Sequence, residues 1–303
     1  MKNISIILIN YNTAKFTLDC ISSIFDKTAK SIVFEIIVVD NNSEDEDFEI
    51  LCEGLKKRPE VVLHSSPINT GFGGGNMLGV HHAKGQYLLF INNDVILKND
   101  VLSVAYNFME SHTNVGVCTA QNFDEHNTFV ASFDHDKGLR KLIFGRSFLE
   151  TVNPAKYPKR KKQHQTPQDV NFVNGAFMFF RKDYFLEVEG FDPNIFLYFE
   201  EMDICYRIRK NGYKCVLLPQ AEIIHFQGAS TGKSKALEKE GFISYLYVLK
   251  KNYSTLKYTA IVLYLTLTFL IKPKKWDLLP IAIKGGDLAS SLKNKQIKRN
   301  PVR

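Results

Sequence analysis

The sequence predicts an α/β protein with a mostly parallel central sheet flanked by helices, followed by a C-terminal helical extension. Three observations carry that reading. Short β-branched or aromatic runs alternate with helix-like stretches through the first hundred residues. Polar clusters follow the ends of those runs, where α/β sheets bind ligands. The last quarter of the chain switches to a basic composition around an apolar centre.

The elements follow in order. Residues 4–9 (ISIILI), 34–39 (FEIIVV), 61–64 (VVLH) and 87–91 (YLLFI) have strand length and composition. Between them, 14–25, 45–57 and 76–84 read as helices, and Ser43 ahead of Glu46 has capping-box spacing. This alternation implies a Rossmann-like sheet covered on both faces. A further helix is expected over 98–110. From about 120 to 170 the periodicity fails, and 156–163 (KYPKRKKQ), between Pro154 and Pro167, reads as a mobile surface loop. Order returns at 170–173 and 176–180, then in a helix over 199–210 and strands at 215–218 and 222–226.

Beyond residue 231 the chain reads as helical. Its apolar part, 258–271, has 14 residues, short of the roughly 20 that span a bilayer. Lys250, Lys251 and Lys257 precede it, and Lys272, Lys274, Lys275 and Trp276 follow. Lysines and an aromatic at the edges of an apolar segment suit a helix lying at an anionic membrane surface. A core helix packed on the main domain is the other reading. The division is therefore 1–230 for a main domain and 231–303 for a basic, apolar extension.

Composition narrows the function. The chain has 303 residues, enough to bury roughly 75% of its unfolded surface without disulfides. Five scattered cysteines with no C-x-x-C pair fit a reducing compartment and no structural zinc. The apolar run 4–9 is too short for a signal segment, so a cytoplasmic location is expected. Net charge is +7, yet residues 231–303 hold 15 Lys/Arg against 4 Asp/Glu, so the basic excess sits in the extension. Its charges flank an apolar segment rather than tracking a groove, which points to a membrane surface and away from nucleic acid.

Four clusters can carry chemistry. Asp40 ends a buried-looking strand, where a carboxylate can accept from a nucleobase or a ribose; a turn or helix-cap role is the other reading. The run 69–76 (NTGFGGGN) is a glycine-rich turn into a helix, able to approach a phosphate or sugar; Asn76 in the third glycine position excludes the dinucleotide fingerprint. Asp94, after Asn92 and Asn93, is a hard oxygen donor suited to Mg²⁺ or Mn²⁺ beside a diphosphate, or a cap for the next helix. On a helix over 199–210, Glu200, Asp203 and Arg207 share a face while Glu201 points elsewhere, free to act as a general base. His225, at a strand end, matters as a second ligand for a metal at Asp94.

In order, ILINYN (7–12), VVDNNS (38–43), NTGFGGGN (69–76), LLFINNDV (88–95), NGAFMFFR (174–181), the 190–213 segment around FLYFEEMD and IIHFQGAS (223–230) resemble a family 2 glycosyltransferase of GT-A-type fold, in its rhamnosyltransferase-like branch. The resemblance covers about 1–230. It implies a nucleotide-sugar donor (dTDP-, UDP- or GDP-linked) bound by Tyr11, Asn12, Asp40, Asn42, Gly71, Asn76, Asn92 and Asn93, with Asp40 facing the base. It implies an acceptor side at Asn174, Gly175, Glu200 and Arg207, and a divalent metal (Mg²⁺ or Mn²⁺) on Asp94 and His225. The family's base is the second acid of a carboxylate pair, here Glu201, with Asp203 as the alternative. Two departures stand out: Asn92 replaces the first carboxylate of the D-x-D metal motif, and the base is Glu rather than Asp. The expected function is inverting transfer of a sugar to a saccharide or lipid-linked saccharide acceptor in cell-surface polysaccharide synthesis, at the inner face of the membrane. A catalytically inactive glycan- or membrane-binding relative is the alternative.

Overall fold

The structure is a computed structural model that describes residues 3–226 and 234–298. The last part of the 223–230 motif and the start of the extension lie outside the described residues. In the first half, β1 (Ile4–Asn10), α1 (Ala14–Lys27), β2 (Phe34–Asp40), α2 (Asp45–Leu55), β3 (Val61–Ser65), α3 (Gly71–Val80) and β4 (Tyr87–Ile91) follow the expected alternation; a short strand that was not expected, β5 (Val95–Leu97), then precedes the expected helix α4 (Val101–Ser111). The second half contains β6 (Val115–Phe123), β7 (Phe129–Val130), β8 (Phe133–Asp134), α5 (Leu139–Phe144), α6 (Arg146–Val152), β9 (Gln168–Val170), β10 (Phe172–Val173), β11 (Phe177–Arg181), α7 (Lys182–Glu187), α8 (Glu200–Lys210) and β12 (Lys214–His225). The extension adds α9 (Lys235–Asn252), α10 (Thr255–Leu270) and α11 (Leu279–Lys284), with short 3₁₀ turns after α10.

The main sheet runs β3-β2-β1-β4-β11-β6-β12-β5. Strands β3, β2, β1 and β4 are parallel, as is the β6–β12 pair; β11 enters antiparallel between β4 and β6. Continuous apolar runs suit strands covered on both faces, and Ile6, Ile7, Leu8, Leu88, Leu89 and Phe90 are all fully buried. Because β1, β2 and β4 are parallel neighbours, their carboxyl ends open on one side, where the three Asn/Asp clusters collect.

Several details differ from the sequence expectation. The glycine run is the first turn and body of α3 rather than a turn ahead of it. Its glycines permit close packing: a Cβ on Gly79 would sit 2.5 Å from Ile7, and one on Gly71, at φ +76°, 1.9 Å from the Phe196 carbonyl oxygen. Helix α2 starts after Glu44 without a capping box, because the Ser43 hydroxyl accepts from Asn10 Nδ2 and Asn12 N. Strands 215–218 and 222–226 are one strand, β12, with a register shift between them.

The extension packs on the main domain through one face. Leu246, Leu249, Ile261, Leu265 and Phe269 join the core cluster that contains Phe180, Ile204 and Leu217. The opposite face of α10 leaves Leu256, Leu263, Leu267 and Leu270 exposed, followed by Ile271 and Trp276. No helix among the described residues is long and apolar enough to cross a membrane.

Candidate active site

A cavity of about 720 Å³ lies beyond the carboxyl ends of the parallel strands. The chain brings Tyr11 from β1, Asn92, Asn93 and Asp94 from the β4–β5 turn, Asn174 and Gly175 ahead of β11, Glu200 and Glu201 from α8 and His225 from β12 to its wall. Gly71 and Asn76 of α3 also line it.

Asp94 is 1% exposed, and among the described residues neither carboxylate oxygen has a hydrogen-bond partner. Its Oδ1 lies 3.2 Å from His225 Nε2, and His225 Nδ1 is likewise buried with no partner among the described residues. Strand register makes this meeting: His225 pairs with Val95, and Phe226 N donates to the Asp94 carbonyl. Asp94 does not cap α4; Asp100 does, accepting from Ser103 N. A buried carboxylate without donors is costly unless a cation completes it, so this pair fits a divalent metal with a hard oxygen and an imidazole donor. Among the described residues no three His, Cys, Asp or Glu side chains converge on one point. A metal here would take its other ligands from phosphate and water.

Helix α8 begins under strain. Tyr198 and Phe199 both adopt φ +70°, an uncommon conformation for aromatic residues that costs on the order of 1–3 kcal/mol each. This turn sets the first helical carboxylates, Glu200 and Glu201, against the cavity. Burial pushes the Glu200 carboxyl well above its ordinary range, reinforced by the Glu201 charge, and Glu200 Oε1 has no hydrogen-bond partner among the described residues. Burial raises Glu201 as well, while backbone N–H groups at the helix start and the Lys137 ammonium favour its charged form. Of the two, Glu201 is the one with a countercharge.

Other site expectations are placed elsewhere. Asp203 is fully buried outside the cavity wall, accepting from Arg207, from Lys251 Nζ at 3.0 Å and from Asn252 Nδ2 at 2.7 Å. Arg207 donates to Asp203 and to the Val188 carbonyl, away from the cavity. The Glu200 carboxylate faces the cavity instead of joining that pair. Asp40 is buried behind the wall: Oδ1 accepts from Asn10 Nδ2 at 3.0 Å and Oδ2 from Ser43 N at 3.2 Å, a turn-stabilising role. Asn12 and Asn42, both at positive φ, shape the same turn; Asn12 Oδ1 accepts from Glu44 N, and Asn42 Nδ2 donates to the Ile297 carbonyl. Asn93 donates to Thr13 and Thr17, tying the β4 end to α1.

The structure adds residues that sequence reasoning passed over. Asn41 lines the cavity and holds the glycine-rich helix start, accepting from Thr70 N and donating to Asn69 Oδ1 and the Gly71 carbonyl. Arg160, within the basic stretch read as a surface loop, also lines it; its Nε donates to the Phe133 carbonyl at 2.7 Å. Lys137 stacks its ammonium 4.3 Å over the Phe199 ring beside Glu201. The prominence of Asn41 could have been read from the Asp40–Ser43 cluster. Nothing in a lysine-rich run distinguishes Arg160.

Comparisons with known proteins show the family and the fold. The pattern of the family described as Glycosyl transferase family 2 matches residues 5–188. Rhamnosyltransferase WbbL of Escherichia coli (strain K12) is 28% identical over 205 residues, covering 61% of this chain and 75% of that protein. Matches to several further curated glycosyltransferases span 17% to 49% of their lengths. Among solved structures, GalNAc-T7 with UDP, GalNAc and Mn²⁺ superposes with a TM-score of 0.62 at 17% identity, over 82% of this chain and 48% of that one. The mannosyltransferase PcManGT of Pyrobaculum calidifontis, with GDP-Man and Mn²⁺, gives 0.55 at 13% identity, over 94% and 85%. The fold is that of GT-A glycosyltransferases. This chain belongs to glycosyl transferase family 2.

Proposed function

We propose that the protein transfers a sugar, with inversion, from a nucleoside-diphosphate donor to a saccharide or lipid-linked saccharide acceptor in cell-surface polysaccharide synthesis. The observation that carries this reading is one cavity holding the donor-poor Asp94–His225 pair and the Glu200–Glu201 pair on separate elements. Tyr11, Asn41, Asn69 and the start of α3 supply the nucleoside side, consistent with a UDP-, dTDP- or GDP-linked donor. Asp94 and His225 would hold Mg²⁺ or Mn²⁺, which when bound places positive charge on the departing diphosphate.

Glu201 is the general base. Its carboxylate, raised by burial yet kept ionisable by Lys137, takes the acceptor hydroxyl's proton as that oxygen attacks the anomeric carbon. Burial favours the protonated form of Glu200, which can donate a hydrogen bond to the acceptor; Asn174 and Gly175 line the same cavity. Asp203 and Arg207 fix α8 rather than touch substrate. Residues 1–230 carry the metal pair and the carboxylate base, and the exposed face of α10 with its flanking lysines seats the enzyme on an anionic inner membrane surface.

Thermal stabilisation of the purified protein by UDP, dTDP and GDP, each with and without Mn²⁺, tests the donor assignment. A Mn²⁺-dependent shift with one nucleotide is expected; no shift with any at millimolar concentration would reject it.

A further inference from the structure

The C-terminal segment, outside the region matched by the family, reaches the cavity. Leu292 and Gln296 line it beside Asn41 and Tyr11. Three separate parts of the fold hold the segment there. The Glu240 carboxylate on α9, 1% exposed, accepts from the buried Ser291 hydroxyl at 2.7 Å and from Leu292 N at 2.7 Å. Lys293 Nζ donates to the Pro193 carbonyl at 2.6 Å, in the loop whose Phe196 carbonyl receives Phe72 N. Asn42 Nδ2, at the end of β2, donates to the Ile297 carbonyl at 3.2 Å. A carboxylate is buried only where its hydrogen bonds are satisfied, and here two of its partners come from the segment. That is the arrangement of a fixed wall, not of a trailing end.

Its position along the sheet identifies what it touches. Asn42 follows β2, and Asp94 follows β4; β1 lies between them. Two strand spacings put these ends about 10 Å apart. The Ile297 end of the segment therefore stands towards the β2 side of the cavity, away from the Asp94–His225 pair, while its Ser291–Leu292 end is held at Glu240. From this we infer that residues 291–298 form a strap that completes the nucleoside end of the donor site, latched by Glu240, with Gln296 contacting the nucleoside. The inference rests on the donor reading of the cavity. A carboxamide offers both a donor and an acceptor to a base or ribose, and Leu292 supplies apolar cover.

Calorimetry with UDP, dTDP and GDP in the presence of Mn²⁺ tests it on the parent chain, on Gln296→Ala and on a chain ending at Ser290. The nucleotide that binds the parent is expected to bind Gln296→Ala 3- to 10-fold more weakly and the shortened chain at least 10-fold more weakly. In a parallel measurement, that nucleotide slows tryptic cleavage after Lys293 and Lys295 of the parent at least fivefold, and slows it less in Gln296→Ala. Unchanged affinity in Gln296→Ala with no protection from trypsin overturns the strap as part of the site, and does so even if the shortened chain fails to fold. Tighter binding on shortening also overturns it, since the segment would then obstruct the cavity. If no nucleotide binds the parent, the donor reading itself fails and the strap assignment with it.

Discussion

His225 Nε2 stands 3.2 Å from Asp94 Oδ1 at the floor of the cavity, two side chains delivered by the antiparallel pairing of β12 with β5. Among the described residues neither Asp94 oxygen has a hydrogen-bond partner. Asp94→Asn and His225→Ala are therefore expected to abolish the Mn²⁺-dependent part of nucleotide binding, a weakening on the order of 100-fold, with secondary structure retained. Calorimetry with and without Mn²⁺ checks this; a variant that kept the full metal effect would place the ion elsewhere.

Glu201→Gln keeps the shape of the α8 start and removes the base. Transfer should fall about 10²–10⁴-fold, while nucleotide affinity in the same protein changes little. A single-turnover assay beside a binding titration separates the two quantities. Full activity in Glu201→Gln would move the proton acceptor to another group.

Asp203 predicts the opposite pattern. It receives Arg207, Lys251 and Asn252, so it joins α8 to α9. Asp203→Asn leaves two cations facing a neutral amide and should cost about 3 kcal/mol in urea unfolding. The loss of activity should follow the loss of folded protein. A rate defect in a fully folded Asp203→Asn would instead put this carboxylate in the chemistry.

Glu200 makes a prediction about pH. Its carboxyl is raised well above the ordinary 4.5 in the folded state, chiefly by burial. Below 4.5 it is protonated in both states, and its contribution to stability is fully present. As pH rises through the folded value, folding must either hold the proton or bury the charge, and stability is lost. Glu200→Gln should raise the melting temperature relative to the parent at pH 8 and lose that advantage towards pH 4.5. Equal melting temperatures at both pH values would show that Glu200 is not protonated in the fold.

The outer face of α10 carries the membrane prediction. Leu263 and Leu267 are 58% and 56% exposed, on the side opposite the buried Ile261 and Leu265. Leu263→Asp with Leu267→Asp should lower binding to anionic vesicles about tenfold or more without altering the melting temperature. Sedimentation with vesicles of mixed phosphatidylglycerol and phosphatidylcholine reads it directly.

The first five parallel-half elements were readable because their apolar runs are uninterrupted and their turns are polar. Strand β6 was not, although all nine of its residues are buried. Thr119, Gln121 and Asn122 interrupt its apolar run; Thr119 donates to the Phe177 carbonyl and Gln121 accepts from His164 N, while the Asn122 amide is buried with no hydrogen-bond partner among the described residues. Such partners come from distant segments and leave no local periodicity. The motifs pointed to Asp94, Glu201 and His225, and all three line the cavity. Asp40 carried the motif, and in the fold its two oxygens each accept one bond, from Asn10 Nδ2 and Ser43 N, behind the wall. Arg160 and Gln296 lie in segments whose composition reads as surface, and only tertiary placement brings them to the cavity.

Strand β12 has a practical consequence for anyone dividing the chain. It is bonded on one side to β6 and on the other to β5 and β9, and it carries His225. A fragment cut after residue 188, the limit of the family match, would keep the parallel half of the sheet but strip β6 along its length. The exposed backbone of a long, fully buried strand is a template for intermolecular pairing. Such a fragment should accumulate as insoluble aggregate before any question of its catalysis could be put.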